Sequence, residues 1–172
     1  MSGFEERNPG ELKKNVFSMI GRDWMLIAAE KDGRVNAMTA SWGGLGVLWG
    51  SDVAYIFVRQ SRLTKEFIDA SDTFSLNFLD PARFRDVQKY MGTVSGRDED
   101  KVAKSGLQVQ RAEQTPYFGE SDTVLLCRKA GAFELGPDGI GEEDRKRWYA
   151  DGNLHTMYVG RIVKLMTRAE ES

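Results

Sequence analysis

The stretch Trp24–Ser41, WMLIAAEKDGRVNAMTAS, decides the fold class of this chain. It consists of two runs of mainly apolar or small residues with Asp32-Gly33 between them. Asp-Gly between such runs is a strong signal for a tight hairpin, because the turn needs residues that tolerate positive φ. The stretch therefore predicts two antiparallel strands, at 24–30 and 35–41, joined by this turn.

The rest of the chain continues the pattern of strands joined by short connections. We predict further strands at 53–59, 73–79, 123–135 and 155–166, short helices at 12–20, 63–70, 81–90 and 142–148, a helix capped by Asp98 that ends before Gly106, and a glycine-rich loop at 43–46. Parallel sheets show a regular alternation of strands with longer helices, which is missing here. The sequence predicts a mainly β, antiparallel barrel or sandwich with peripheral helices.

Composition narrows the class of protein. The chain has 172 residues, 41% of them hydrophobic, and a formal net charge of −2 with both signs intermixed. We therefore expect a single soluble domain over residues 1–172, with no basic stripe for nucleic acid and no apolar run long enough to span a membrane. The polar first 15 residues lack the apolar core of a signal peptide, so the expected location is cytoplasmic.

The scarcity of histidine and cysteine excludes several kinds of catalytic site. His155 and Cys127 are the only histidine and cysteine, so no zinc site of His and Cys ligands can form within one chain. The serine signature G-x-S-x-G is absent, because Thr39 stands where the segment around Ser41 would need its first glycine. We predict no metal site, and we expect a cofactor to supply any difficult chemistry.

The first segment that could hold a cofactor is 36–44, NAMTASWGG, at the end of a predicted strand. Its small residues would let a flat ring approach the backbone, whose N–H groups and neighbouring hydroxyls could bond to ring atoms. A dinucleotide-binding fingerprint fails here, because Trp49 stands where a third glycine is required. The alternative is a simple turn with Trp42 in the core.

Two further segments carry polar groups at strand ends. Residues 59–64, RQSRLT, offer two guanidinium groups, two hydroxyls and a helix N-terminus, which suit a phosphate group, although a solvated helix cap has the same pattern. Residues 155–162 begin with the sole histidine, whose alternative role is structural. The rings of Trp24, Trp49 and Trp148 are expected to pack in the core or at an interface, and Cys127 to be buried and inert.

These segments together resemble the flavin reductase-like family, in particular its flavoredoxin-type and ferric-reductase-type FMN-binding proteins. The resemblance rests on the order and spacing of NAMTASWGG at 36–44, RQSRLT at 59–64, FSLNF at 74–78, SGRDEDK at 95–101 and HTMYVG at 155–160. It extends over about residues 12–166. It implies a six-stranded antiparallel split β-barrel of Greek-key topology, and a homodimer with one FMN per subunit near the interface.

The resemblance also implies roles for individual residues. The isoalloxazine ring and ribityl chain would lie along Asn36, Ala37, Met38, Thr39, Ala40 and Ser41, with Trp42 close by. The phosphate would be held by Arg59, Ser61, Arg62 and Thr64. Asn77 would lie on the strand beside the ring, Lys101 would reach the cofactor from the 95–101 loop, and His155 would be the catalytic residue near the flavin or the nicotinamide.

The implied activity is hydride transfer from NAD(P)H to FMN with onward delivery of electrons. The glycine-rich and acidic insert at 136–144 departs from the better-known two-component reductases and leaves the donor and the acceptor open. One alternative is an electron-transfer flavoprotein with bound FMN, a redox-protein partner and no direct reaction with NAD(P)H. Another is a barrel that holds no flavin and binds haem through His155, or serves as an interaction module.

Overall fold

The computed structural model describes residues 3–169, which form ten strands and four α-helices. The strands are β1 (Phe4–Arg7), β2 (Met25–Lys31), β3 (Arg34–Ala40), β4 (Gly43–Leu48), β5 (Ser51–Arg59), β6 (Thr73–Phe78), β7 (Val109–Ala112), β8 (Thr115–Phe118), β9 (Thr123–Glu134) and β10 (His155–Arg168). The helices are α1 (Leu63–Ala70), α2 (Pro81–Thr93), α3 (Lys101–Ser105) and α4 (Glu142–Trp148). None of the helices in residues 3–169 is long and apolar enough to cross a membrane.

Eight of the strands form one antiparallel sheet. Its order is β3-β2-β6-β9-β10-β5-β4, with β1 also paired to β10, while β7 and β8 form a separate hairpin. The end strands β3 and β4 do not pair with each other, so the sheet is not closed. The prediction of a mainly β, antiparallel fold with peripheral helices is confirmed, whereas the count of six barrel strands is not.

The hairpin that opens the sheet forms as its sequence predicts. Asp32 and Gly33 have φ values of 52° and 76°, and Lys31 pairs directly with Arg34 across the turn. Two successive positive φ values are the mark of the turn that matches the natural twist of a hairpin. The backbone tolerance of Asp and Gly therefore sets the register of β2 against β3.

Both faces of β2 are buried, which explains its nearly continuous apolar sequence. Ile27 belongs to a cluster within the curve of the sheet, together with Phe74, Ile56 and Tyr158. Leu26 and Ala28 instead belong to a second cluster with residues of α2, α3 and β8, in which Phe118 is fully buried. Alternation along a strand sends successive side chains to opposite faces, so one strand contributes to two cores.

The largest departure from the prediction is β4, which occupies the stretch expected to be a glycine-rich loop. Gly44 and Gly46 lie against the ring of Tyr55 on β5, where a Cβ would come within 3.7 and 3.5 Å of ring atoms. A tight turn at Trp49-Gly50, with φ values of 51° and 67°, returns the chain to β5. The low strand propensity of glycine is overridden because Tyr55 on the partner strand packs against β4.

Helix boundaries differ from the prediction in smaller ways. The segment predicted as a helix at 12–20 is helical only from Val16, and Ser18–Asp23 forms a π-helix. Asp100, and not Asp98, caps α3 by accepting a hydrogen bond from the Ala103 N–H. Strands β1, β7 and β8 were not predicted, since four residues are too few for a clear alternation.

We predict that Gly160→Ala destabilises the protein by about 2 kcal/mol, because the site has no room for a methyl group. A Cβ there would lie 2.5 Å from Phe74 Cζ and 2.8 Å from Cys127 Cβ. Urea unfolding measures the change. Gly136→Ala, with nothing within 4 Å of its Cβ, is the control and should change the free energy of unfolding by less than about 0.5 kcal/mol. Equal stability of both variants would contradict the prediction.

Candidate functional site

Two adjacent cavities share Arg62, the residue directly before α1. We call them the cationic cavity and the aromatic cavity, with volumes of about 210 and 180 Å³. The cationic cavity is lined by Asn36, Ser61, Arg62, Leu63, Thr64, Thr93, Ser95, Gly96 and Lys101. The aromatic cavity is lined by Met38, Thr39, Ala40, Ser41, Trp42, Phe57, Arg59, Arg62, Trp148 and His155.

The cationic cavity holds two positive side chains whose partners are backbone carbonyls. Lys101, only 3% exposed, donates from Nζ to the Met91 carbonyl at 2.8 Å, and Arg62 donates from Nη1 to the Gly92 carbonyl at 3.1 Å. Neither forms an ion pair with a carboxylate within residues 3–169. A buried positive charge without a counter-charge is costly, so the cavity is suited to an anion.

The pKa values of both cations are lowered by burial and by a neighbouring positive charge. Burial, together with the nearby charge of Arg62, lowers the pKa of Lys101 to about 8. Burial and the charge of Arg59 lower the pKa of Arg62. An anion placed between these groups would stabilise their charged forms and raise both pKa values.

Neutral donors complete the cationic cavity. The first turn of α1 has no side-chain cap on its N–H groups among the described residues. Thr64 is buried and its hydroxyl oxygen accepts a hydrogen bond from Asn36 Nδ2 at 3.0 Å, while Ser61 lies in the turn before the helix. Backbone N–H groups at a helix N-terminus and nearby hydroxyls are the usual neutral ligands of phosphate.

One wall of this cavity requires glycine. A Cβ on Gly96 would lie 2.5 Å from Asn36 Oδ1 and 2.9 Å from Leu63 Cδ2. Arg34 donates from Nη2 to the Gly96 carbonyl at 2.8 Å, which holds this wall against β3. The approach of the 95–96 backbone to β3 and α1 therefore encloses the cavity on the side of Lys101.

The aromatic cavity has a backbone wall and a ring-lined mouth. The end of β3, residues 38–40, forms the wall, and because β3 is an end strand one of its edges lacks a strand partner. The rings of Trp42 and Trp148 meet edge to face at 5.0 Å, and Trp42 lies 5.2 Å from the ring of His155. The two indoles are 38% and 39% exposed, so Trp42 is not a core residue.

His155 is buried beside two arginines. Its Nδ1 shares a hydrogen bond of 2.7 Å with the hydroxyl of Tyr149. Burial, followed by the charges of Arg59 and Arg62, lowers the pKa of His155 to about 4. The imidazole is therefore neutral at pH 7, so it can donate or accept a hydrogen bond at the cavity but does not carry a proton to deliver.

Arg59 ties the aromatic cavity to the segment before β10. It donates from Nη1 to the Asn153 carbonyl at 2.7 Å and from Nη2 to the Trp148 carbonyl at 3.2 Å. The amide of Asn153 donates from Nδ2 to Ser61 Oγ at 2.8 Å. The turn that carries Arg59, Ser61 and Arg62 is thus cross-linked to the opposite wall.

The structure brings together most of the residues singled out in the sequence. Those that line one or both cavities are Asn36, Met38, Thr39, Ala40, Ser41, Trp42, Arg59, Ser61, Arg62, Thr64, Lys101 and His155. Ala37 is fully buried and lines neither cavity. Asn77 also lies outside both, where its amide donates to the Leu26 carbonyl and accepts from the Phe118 N–H, holding β2, β6 and β8 together.

Other lining residues were not assigned to the site from the sequence. Phe57, Thr93 and Trp148 line the cavities without belonging to any segment assigned to the site, and Leu63 lies within the 59–64 segment but had no assigned role. Trp148 had been expected only to pack, and the sequence carries no signal that a ring 106 residues after Trp42 would meet it. In residues 3–169 there is no cluster of three or more His, Cys, Asp or Glu side chains that could hold a metal ion.

The protein combines an open antiparallel sheet with a cationic cavity beside an aromatic one. This arrangement suits a planar ligand that carries an anionic group. A family model of the flavin reductase like domain matches residues 17–172, and this chain therefore belongs to the flavin reductase-like family. The resemblance seen in the sequence is confirmed. A comparison with curated proteins found no match.

Solved structures share the fold. Flavoredoxin from Methanosarcina acetivorans is 24% identical, with 86% of this chain and 69% of that chain covered and a TM-score of 0.68. Flavoredoxin of Desulfovibrio vulgaris Miyazaki F is 20% identical, with 96% of this chain and 78% of that chain covered and a TM-score of 0.66. An NADH:FAD oxidoreductase from Streptomyces globisporus is 15% identical, with 86% of this chain and 75% of that chain covered and a TM-score of 0.64. At these identities the likeness establishes the fold, and the chemistry must be argued from this chain's own residues.

We predict that His155 titrates near pH 4 in the folded protein, against an ordinary value of 6.5. Because the unfolded chain then binds the proton more readily, the free energy of unfolding falls as the pH drops from 6.5 towards 4. His155 is the only histidine, so its ring resonances in NMR spectra of an untagged protein are unambiguous. Arg59→Gln should raise this pKa by removing a nearby positive charge. Titration near 6.5 in the wild type would contradict the description of this site.

Proposed function

We propose that this chain is an FMN-binding flavin reductase-like oxidoreductase that takes hydride from NAD(P)H and passes the electrons onward. One observation carries the proposal. Arg59, Arg62 and Lys101 line two adjacent cavities without a carboxylate partner in the described chain, and one of these cavities is also lined by the rings of Trp42, Trp148 and His155. FMN has the matching shape, a flat ring system joined by a short chain to a terminal phosphate.

The cationic cavity suits the phosphate of FMN. A phosphate monoester carries about two negative charges near neutral pH and offers three oxygens as hydrogen-bond acceptors. Arg62 and Lys101 supply the balancing charge, and Ser61, Thr64 and the first turn of α1 supply further donors. The wall at Gly96 closes the cavity beside Lys101, which favours a phosphate that ends the molecule over one that continues into a second nucleotide.

The aromatic cavity suits the isoalloxazine ring. The unpaired edge of β3 offers backbone N–H and C=O groups to the polar edge of such a ring, and the small side chains of Ala40 and Ser41 leave the approach open. Asn36 at the cationic cavity and Thr39 at the aromatic cavity lie on the same strand, β3. The ring would therefore extend from Arg62 towards Trp42 and His155.

FMN, when bound, supplies the chemistry of accepting a hydride and releasing electrons. The contribution of the protein is to place and stabilise the ring. Arg59 and Arg62 give the cavity a positive potential, which stabilises the negative charge of a reduced ring. His155, neutral at pH 7, lines the cavity where it can bond to the ring or to the nicotinamide and hold the two in register.

A second candidate function is electron transfer to or from a redox protein without direct reaction with NAD(P)H. The edge-to-face pair of Trp42 and Trp148 favours it, because these rings narrow the mouth through which a nicotinamide would reach the cavity. An absorbance spectrum followed by anaerobic addition of NADH separates the two functions. Bleaching of a bound flavin within seconds supports the reductase, and a persistent flavin spectrum supports the carrier.

We also propose that the protein acts as a homodimer. Trp49, in the turn between β4 and β5, and Phe133 on β9 present exposed rings 6.5 Å apart, and Val47 is exposed on the end strand β4. Exposed apolar side chains of this size on a sheet edge favour association. Size-exclusion chromatography with light scattering should give twice the chain mass of 19.4 kDa. A monomer at micromolar concentration would contradict this expectation.

We predict that Lys101→Met weakens FMN binding about tenfold and leaves riboflavin binding unchanged, because a charge-assisted bond to phosphate is lost. Lys104→Met is the matched control, since Lys104 belongs to the same helix but is exposed and paired with Glu99. Fluorescence titration with the two flavins measures both constants. Equal losses for FMN and riboflavin would show that Lys101 supports the fold and not the phosphate.

We predict that His155→Ala slows the reduction of bound FMN by NADH about tenfold, while the FMN dissociation constant changes less than about threefold. The physical reason is that the imidazole lines the aromatic cavity and not the cationic cavity, where the phosphate is expected to bind. Stopped-flow absorbance gives the rate, and titration gives the affinity. Tyr149→Phe, which removes only the hydroxyl bonded to His155, should give a smaller effect. Unchanged reduction kinetics in His155→Ala would remove its proposed catalytic role.

A further inference from the structure

The segment between β9 and β10 is weakly attached to the body of the protein. We call residues 136–153 the lid. No residue of the lid is buried, and α4 within it is exposed on nearly all sides. Its internal ties, such as the pair Lys146–Glu142, are at the surface. A segment with so little buried apolar surface belongs to the part of a protein that opens most readily.

The lid is held where it meets the aromatic cavity. Arg59 donates hydrogen bonds to the carbonyls of Trp148 and Asn153, and Tyr149 shares a hydrogen bond with His155. The indole of Trp148 lies edge-on against Trp42. These contacts join the lid to residues that line the cavity, so the state of the lid and access to the cavity are physically linked.

We propose that Trp148 is a specificity-determining residue that covers the mouth of the aromatic cavity and controls which redox molecule reaches the ring. The proposal rests on the proposed function, since it assumes that the cavity holds FMN. A small inorganic ion can reach the ring past the indole of Trp148. The planar nicotinamide ring of NADH needs the space that this indole occupies. Reduction by NADH is then limited by opening of the lid, as with other active-site lids.

The geometry explains why Trp148, and not Trp42, is the moving part. Only Ser41 and Trp42 separate β3 from β4, so strands fix the backbone of Trp42 on both sides. Trp148 ends α4, a short helix without buried residues, and opening of the lid would have to break the hydrogen bond from Arg59 to its carbonyl. Movement of the lid removes one indole from the mouth and leaves the wall of the cavity intact.

Trp148→Ala tests the proposal, with Phe17→Ala as the control. Phe17 is 89% exposed and lies outside both cavities. Stopped-flow reduction of bound FMN by NADH should become about tenfold faster in Trp148→Ala, while reduction by dithionite, a small inorganic reductant, stays within about twofold. Phe17→Ala should match the wild type in both.

Two readouts do not depend on turnover. Quenching of the bound flavin's fluorescence by iodide should be about threefold more efficient in Trp148→Ala than in the wild type, because the mouth is wider. In hydrogen-exchange mass spectrometry of the flavin-free chain, peptides from the lid should exchange much faster than those from β10. Protection of the lid equal to that of β10 would overturn the proposal.

The remaining outcomes separate this proposal from the proposed function. A wild-type chain that binds no FMN removes the proposed function, and the lid proposal with it. A chain that binds FMN but whose reduction by NADH is unchanged or slower in Trp148→Ala retains the proposed function and overturns only the role of Trp148. Faster reduction by NADH together with unchanged FMN affinity and dithionite rate supports both.

Discussion

The pairing of β10 with β5 on one side and β9 on the other is the constraint on which the site depends. In this register His155 stands directly opposite Arg59, which places the sole histidine beside the turn that leads into α1. The register against β9 shifts between Val159 and Gly160, and this irregularity bends β10 around the core. The absence of a side chain at Gly160 lets Phe74 pack against the bend. The position of the cavities thus follows from strand pairing.

The positive side chains of the site suit the anionic ligand proposed above. Arg59, Arg62 and Lys101 are held by backbone carbonyls, and burial together with a neighbouring positive charge lowers the pKa of Arg62 and of Lys101. Positive side chains this close together cost stability when no carboxylate lies among them. Costs of this kind are concentrated at functional sites, where a ligand can supply the missing charge. Burial and the same positive charges keep His155 neutral.

Local signals predicted the elements whose causes are local. Asp32-Gly33 sets its hairpin through backbone freedom, the helix predicted from Pro81 is α2, and Arg62 and Thr64, predicted from their type and spacing to bind a phosphate, both line the cationic cavity. Elements whose stability comes from a distant partner were missed. The strand β4 forms because its glycines pack on Tyr55, and the sequence did not indicate that the Asn77 amide satisfies backbone groups of β2 and β8.

The sequence by itself determined the antiparallel β class and the family, and it predicted the residue types that would face an anionic ligand. Strand periodicity, turn chemistry and motif order are properties of neighbouring residues and can be read without the fold. Only the tertiary structure decided that the sheet is open between β3 and β4, that Lys101 meets Arg62, and that Trp148 meets Trp42. These contacts join residues far apart in the chain, and their geometry depends on register and packing that no local pattern encodes.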